Sequence, residues 1–446
     1  MKTITRKLVQ EKNLQSLATS VFVAGINLAT FLLLVRSLGK EAFGEWVIFV
    51  TASTLIDLVR YGLTKRAIIH YSSVTATQHM KTFQGSGFAI DLVLAGISSA
   101  FIYLLYLVLE SKLGIYTLFF KYYPLLSVIA VFWNNATANQ NAIQRFDRIL
   151  WTRILINIPF FILVLLNLRW QFGVERVIIL FILSNIPASI ISVILKWNGW
   201  SYLKVSNKVT IKKIINYGKY TLLTSTGSSL LRSSDTLIIG LSPILGATGV
   251  AIYSIPFKVV DLIQIPLNAF LATASPKMSK SFLTQNIEGF KNTLMTYTGA
   301  VSMLFLPVIA AAVIFSQHIL LFLAGEDYLA DMPLMTAILM MILLYGLILP
   351  FDRFTGVALD SAEMPDKNAL KVYIMLGLNL IGNLLAVFIF QSLVMVAAVS
   401  VVFTITGMIY GWIFLNRLLN LNPIHIFTEG FIFYRRLALS VRSKLQ

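Results

Sequence analysis

Apolar runs of roughly 20 residues recur along this chain from Leu14 to Leu415, and each is long enough to cross a ~30 Å hydrocarbon core as a helix. Nothing else in the sequence limits the fold so strongly. The composition agrees: 57% of residues are hydrophobic and 12% charged, where a soluble domain carries about 25% charged residues. The predicted class is an all-α polytopic membrane protein. The first run, Leu14–Val35, follows Lys2, Arg6, Lys7 and Lys12. It is too long for a signal peptide and no small-residue cleavage site follows, so it reads as a retained span.

Twelve transmembrane helices are predicted, at about 14–36, 43–65, 83–109, 118–144, 149–168, 174–195, 217–241, 248–272, 291–315, 332–359, 370–390 and 393–416. The net charge of +17 does not indicate nucleic acid, because the basic residues form short clusters between apolar runs. Of 36 Lys and Arg, the outer loops hold Arg36, Lys40, Lys112, Lys121, Arg169 and Arg176, and the spans hold Arg60, Arg232, Lys258 and Arg353. The rest fall on the other side, which the positive-inside rule makes cytoplasmic together with both termini. With no cysteine, thiolate metal sites and cysteine nucleophiles are excluded. His70, His79, His318 and His425 are scattered, so no metal site and no catalytic constellation is predicted.

The largest polar break, Lys196–Lys219, divides the spans into two sets of six. Leu17–Ser20 (LATS), Leu38–Gly39 and Leu55–Val59 (LIDLV) have counterparts in Leu222–Ser225 (LLTS), Leu245–Gly246 and Val259–Ile263 (VVDLI) at a nearly constant offset. Both sets start inside, so the repeat is parallel. The expected organisation is an N-lobe at 1–216 that includes the basic linker, a C-lobe at 217–417, and an amphipathic basic cytoplasmic tail at 418–446. The longest outer loop, about 316–331, carries Glu326, Asp327 and Asp331 and reads as a solvated turn.

The informative residues are charges inside spans. Positions three, four and seven apart share a helix face. The second span aligns Ser53, Asp57, Arg60 and Thr64; the seventh, Ser225, Ser228, Ser229, Arg232, Asp235 and Thr236; the eighth, Ser254, Lys258, Asp261, Gln264 and Asn268. Charges at such depth face a bundle interior or a water-filled cavity. Two readings stay open: acid–base pairs that bind helix to helix, and a polar cavity for a ligand. Amides Asn134, Asn135 and Asn139 on the fourth span, with Asn268, match sugar hydroxyls. The tenth span sets Pro350, a kink or hinge, beside Asp352 and Arg353. Asp91, on the third span, is a candidate proton site. In the ligand reading Arg60, Arg232, Lys258 and Arg353 attract an anion such as a diphosphate. Asp57, Asp91, Asp235, Asp261 and Asp352 then balance charge or couple an ion.

LLLVRSLGKEAFGEW (Leu32–Trp46), DTLIIG (Asp235–Gly240) with GVAIYSIPFKVVDLIQIP and SPKMSK (Ser275–Lys280) after it, NAIQRFDR and ALDSAEMPDK together resemble the Wzx-type oligosaccharide flippases. These belong to the multidrug/oligosaccharidyl-lipid/polysaccharide (MOP) exporter superfamily. The resemblance covers essentially the whole chain. It implies two six-helix lobes in a MATE-like V that rock between inward and outward openings. It also implies transport of an undecaprenyl-diphosphate-linked oligosaccharide in the bacterial plasma membrane, and places Arg36 at the family's arginine. No cofactor is implied beyond a coupling ion, proton or sodium. Implied partners are the lipid-linked substrate, membrane lipids, and assembly proteins such as a polymerase and a chain-length regulator. The rival functions are a MATE-like multidrug or cation exporter, which calls for an acid-dominated cavity, and an integral-membrane polymerase or glycosyltransferase, which calls for a long outer loop or soluble domain.

Overall fold

The computed structural model describes residues 12–74 and 77–445, and among them it contains helices and no strand. The α-helices are α1 (Lys12–Ser37), α2 (Lys40–Val74), α3 (Thr77–Leu109), α4 (Thr117–Ala142), α5 (Phe146–Trp170), α6 (Val174–Ser184), α7 (Ile186–Ile194), α8 (Lys208–Gly240), α9 (Gly246–Leu283), α10 (Ile287–Ile314), α11 (Ser316–Ala324), α12 (Met332–Ser361), α13 (Pro365–Leu384), α14 (Leu393–Leu419) and α15 (Pro423–Leu445). Eleven segments of the described chain are long and apolar enough to cross a membrane. The protein is therefore a multi-pass, all-helical membrane protein. α8, the seventh expected span, is 33 residues long but outside those eleven; Lys208, Lys212, Lys213 and Lys219 lie on its first half, and Arg232, Asp235 and many Ser and Thr residues make its second half polar.

Helix ends follow a pattern that composition hides. α4, α7, α9 and α12 each stop at a residue with left-handed backbone: Gln144, Lys196, Gln285 and Glu363, at φ of 55–57°. In each case the next N–H reaches back to the carbonyl five residues earlier: Arg145 to Gln140, Trp197 to Ser192, Asn286 to Ser281 and Met364 to Leu359, at 2.8–3.0 Å. This closure satisfies carbonyls that a helix end leaves open. Gln144 and Glu363 close the fourth and tenth spans, corresponding places in the two sets of six.

The sixth expected span is a broken helix. Pro187 has no N–H for the carbonyl of Leu183, and Asn185 Nδ2 turns to the carbonyl of Phe181 at 2.7 Å, separating α6 from α7. The polar break at Lys196–Lys219 is not an extended linker. It holds a 3₁₀ turn, Trp200–Val205, and then the start of α8. The segment expected as a solvated outer turn is α11 followed by 3₁₀ turn Glu326–Asp331, which exposes Glu326 and Asp327 and buries Tyr328 completely.

The chain forms two compact units. The first runs to Gly240 and takes in Gly246–Ala251; the second comprises Leu241–Leu245 and everything from Ile252. The boundary expected at 216/217 falls inside α8, all of which lies in the first unit. There Ala67, Phe83, Ile90 and Ile214 form a core between α2, α3 and α8. Trp46 stacks on Phe160 at 5.4 Å and meets Phe181 edge-on at 5.3 Å. A Cβ on Gly44 would lie 1.8 Å from the carbonyl oxygen of Ala247, so the Phe43-Gly44-Glu45-Trp46 stretch is explained by close packing.

In the second unit α15 docks on α10. The two backbones meet at Gly299 and Gly430, where a Cβ on Gly299 would fall 1.9 Å from the carbonyl of Ile426. Tyr434 donates to the carbonyl of Ala300 at 2.9 Å, and Phe433 contacts Phe270 and Tyr297. The expected basic tail is thus helical and packed against α10 over its first three turns.

Candidate functional site

The first unit gathers a polar cluster from three membrane helices. Asp57, Arg60, Tyr61 and Thr64 come from α2, Asp91 from α3, and Tyr123, Ser127, Asn134 and Asn135 from α4. Their spacing puts the α2 set on one face, and that face meets α3 and α4. Arg60, 5% exposed, anchors the cluster. Its guanidinium donates to Asp57 at 3.0 Å, to the Tyr61 hydroxyl at 2.7 Å and to the Ser127 hydroxyl. Tyr123, fully buried, donates to the same Asp57 oxygen at 2.9 Å. Asp91, also buried, accepts from Thr64 at 2.6 Å. Asn135 stands beside Asp91, and Asn134 beside Tyr61. Asn135 Oδ1 and Arg60 Nε are buried without a partner.

This cluster combines six residues singled out in the sequence: Asp57, Arg60, Thr64, Asp91, Asn134 and Asn135. Asn139, also singled out, stands apart and donates to the carbonyl of Trp197 at 3.1 Å, holding the turn after α7. Tyr61, Tyr123 and Ser127 were missed, since a tyrosine in an apolar run resembles core. The i, i+4, i+11 spacing of Tyr123, Ser127 and Asn134 was the available signal. Further along the first unit, Arg232 is exposed and Asp235 buried on α8, and Arg36 is exposed at the end of α1.

In the second unit Lys258 and Asp261 pair on α9 at 3.1 Å, each still partly accessible. Asn268 is exposed three turns on. Arg353 is exposed and stands beside Tyr345, whose ring lies 6.5 Å from that of Phe257, the neighbour of Lys258. Asp352 points elsewhere. It is buried against Lys371 of α13, whose ammonium lies 2.8 Å from both its carboxylate and its own backbone carbonyl. Lys371 was counted with the cytoplasmic loops because it sits at the edge of an apolar run; its side chain is only 4% exposed.

Two kinds of charge are thereby separated. Arg60 and Lys371 are themselves buried, Lys371 against a buried Asp352 and Arg60 against a partly accessible Asp57. Arg232, Lys258 and Arg353 remain accessible and can meet a solute. Among the described residues no group of three His, Cys, Asp or Glu side chains is placed to hold a metal ion.

Residues 11–282 match the family described as polysaccharide biosynthesis protein, more than half of the chain. No curated protein sequence matches. Solved structures share the fold at low identity. An inward-facing multidrug resistance MATE family transporter of the MOP superfamily is 16% identical with a TM-score of 0.74, over 88% of this chain and 94% of its own. The lipid II flippase MurJ, in an inward closed conformation, is 16% identical with a TM-score of 0.71, over 95% and 92%. A MOP superfamily transporter from Pyrococcus furiosus, described as having a binding pocket of reverse polarity that suggests a different function, is 15% identical with a TM-score of 0.64, over 91% and 94%. The family match and the shared fold agree with the resemblance carried by Leu32–Trp46: the chain belongs to the polysaccharide biosynthesis protein family and is built on the MOP-superfamily transporter fold.

Proposed function

We propose that the protein is a flippase that moves an undecaprenyl-diphosphate-linked oligosaccharide, a repeat unit of O-antigen, capsule or exopolysaccharide, from the cytoplasmic to the outer leaflet of a bacterial plasma membrane. Its twelve spans alternate access to a cationic cavity, with both termini in the cytoplasm. The observation that carries this reading is that a member of a polysaccharide family keeps Arg232, Lys258 and Arg353 accessible on its helices. Basic groups held in an otherwise apolar bundle favour an anionic headgroup, and arginine suits bidentate phosphate recognition. Accessible Asn134 and Asn268 are the sugar contacts of this account. Asp57, Asp91, Asp235 and Asp261 balance charge, and a proton or sodium ion drives the cycle. The lipid tail stays in the bilayer, and a polymerase and chain-length regulator receive the product.

The second reading, a multidrug exporter, is favoured by the MATE-like fold. It calls for acids in excess, whereas here the membrane acids Asp57, Asp261 and Asp352 each hold a base. An enzyme of the same pathway has less support, since the fold is shared with transporters over most of the chain.

Deletion of the gene in its host tests the proposal. Lost surface polysaccharide with lipid-linked precursor stranded inside, restored by wild type and not by Lys258→Ala or Arg232→Ala, is expected. Unchanged polysaccharide in a host with no second homologue refutes it, and export of a cationic dye revives the exporter.

A further inference from the structure

The docked face of α15 is Ile426, Gly430, Phe433 and Tyr434, set against α10 and against Phe270 of α9. Between Ile426 and Tyr434 the helix advances about 12 Å, yet the residues it meets on α10 run only from Thr296 to Ala300, about 6 Å. α15 therefore crosses α10 steeply instead of running beside it. The crossing falls where α10 changes character. Glu288, Lys291 and Asn292 precede it, and the roughly 20 residues from Met295 to Ile314 suffice for a ~30 Å hydrocarbon core. Lys291 holds the carbonyl of Asn420, just before α15, at 2.9 Å on that polar side. A helix that crosses a membrane span steeply at this level runs along the membrane surface, at the edge of the hydrocarbon.

The face of α15 turned away from α10 carries two chemistries. Phe427, Phe431 and Leu439 are 45%, 62% and 58% exposed, and their spacing places them in one row along the helix. Arg435 falls in that row and Arg436 flanks it, both exposed. After Glu429 the chain carries Arg435, Arg436, Arg442 and Lys444 and no Asp or Glu. Lys277, exposed near the end of α9, donates to the Tyr297 hydroxyl at 2.6 Å, and Tyr297 meets Phe433, one turn before Arg436. Large apolar groups interleaved with bases suit a helix lying in the bilayer interface. The apolar groups enter the acyl boundary, while the long basic side chains extend to the phosphates. Water would leave the exposed phenylalanines unburied. A leaflet that contains acidic lipid answers both chemistries at the depth where α15 lies.

We propose that the free face of α15 binds the acidic lipids of the adjoining leaflet, with Phe427, Phe431 and Leu439 in the acyl region and Arg435, Arg436 and Lys277 on the headgroup phosphates. These lipids surround the protein and are not its cargo, so the proposal does not rest on the flippase reading.

The chain has no cysteine, so Ala438→Cys, at an exposed position of α15, takes a single acrylodan label in the full-length protein. The labelled protein is placed in nanodiscs of phosphatidylcholine and phosphatidylglycerol in equal parts. A nitroxide carried near the headgroup by one lipid or the other quenches the dye according to how often that lipid stands beside α15. The label should resist aqueous iodide, and nitroxide phosphatidylglycerol should quench it at least twice as strongly as nitroxide phosphatidylcholine. Arg435→Gln/Arg436→Gln should bring that ratio close to one while the label stays shielded from iodide by the apolar row. Arg435→Lys/Arg436→Lys keeps the charge and should keep the preference, and raised salt should weaken it in the otherwise unaltered protein. Equal quenching by the two lipids before any arginine is changed, a preference that salt does not lower, or one that survives in the glutamine variant overturns the proposal. Free access of iodide would place α15 in water, and protection from iodide without quenching by either lipid would place a second copy of the chain over this face; both overturn it as well.

Discussion

Replacing Lys371 by methionine should be among the costliest single changes in the second unit. Methionine keeps most of the aliphatic stem and removes only the ammonium. That ammonium holds two acceptors at 2.8 Å, the carboxylate and the backbone carbonyl of Asp352, with side-chain exposures of 4% and 6% for the two residues. The carbonyl keeps a donor, since Thr355 Oγ1 also reaches it at 2.9 Å. The cost therefore falls on the carboxylate, and a stranded buried charge costs about 3–5 kcal/mol. Adding Asp352→Asn removes the charge and should recover roughly 2–3 kcal/mol of that loss, a coupling of the size found between contacting groups. Chemical unfolding in mixed micelles measures all four members of the cycle. A single variant within ~1 kcal/mol of wild type, or a double variant no more stable than Lys371→Met, would show that this pair is not a sealed ion pair.

Other perturbations follow from the same geometry. Trp46→Ala empties the stack with Phe160 and Phe181 and should lower stability by about 3–5 kcal/mol in the same unfolding assay. Gly299→Val places a side chain where the Ile426 carbonyl lies 1.9 Å from Cβ, so α15 must undock; trypsin should then cut at Arg435 and Arg436 many times faster than in wild type. Arg60→Lys keeps the charge but loses the fork that reaches Asp57, Tyr61 and Ser127 together, and should cost roughly 1–3 kcal/mol with reduced surface polysaccharide.

The sequence made the spans legible because lipid imposes one requirement on every one of them, a long apolar run. It made the Asp57–Arg60 pair legible because a spacing of three on a helix settles who faces whom, and the pair is present at 3.0 Å. The Lys258–Asp261 pair follows from the same spacing. Contacts between helices were not legible in that way. Nothing local assigns Lys371 to Asp352, 19 positions away. Tyr123 and Ser127 acquire their polar role only when α4 meets α2. The helix stops at Gln144, Lys196, Gln285 and Glu363 escaped notice because none of them is the glycine that marks left-handed backbone in a sequence. The amphipathic pattern of the basic tail did not show where it docks, since the Gly299–Gly430 crossing joins positions 131 residues apart in the chain.

The charges divide by task. The buried Lys371–Asp352 pair joins α13 to α12, and the buried Arg60 joins α2 to α4 through Ser127. In the proposed flippase the exposed Arg353 and the partly accessible Lys258, which also pairs with Asp261, meet the solute. That division is the physical core of the flippase account.

Translocation in a purified system tests it most directly. Lipid-linked oligosaccharide, fluorescently labelled on its glycan, is placed in one leaflet of proteoliposomes, and the fraction reached by a membrane-impermeant quencher is followed with time. The account predicts crossing that requires the protein, slows at least tenfold in Lys258→Ala, and leaves the glycan chemically unchanged. Crossing no faster than in protein-free vesicles would contradict the account, as would conversion of the labelled precursor into a longer product.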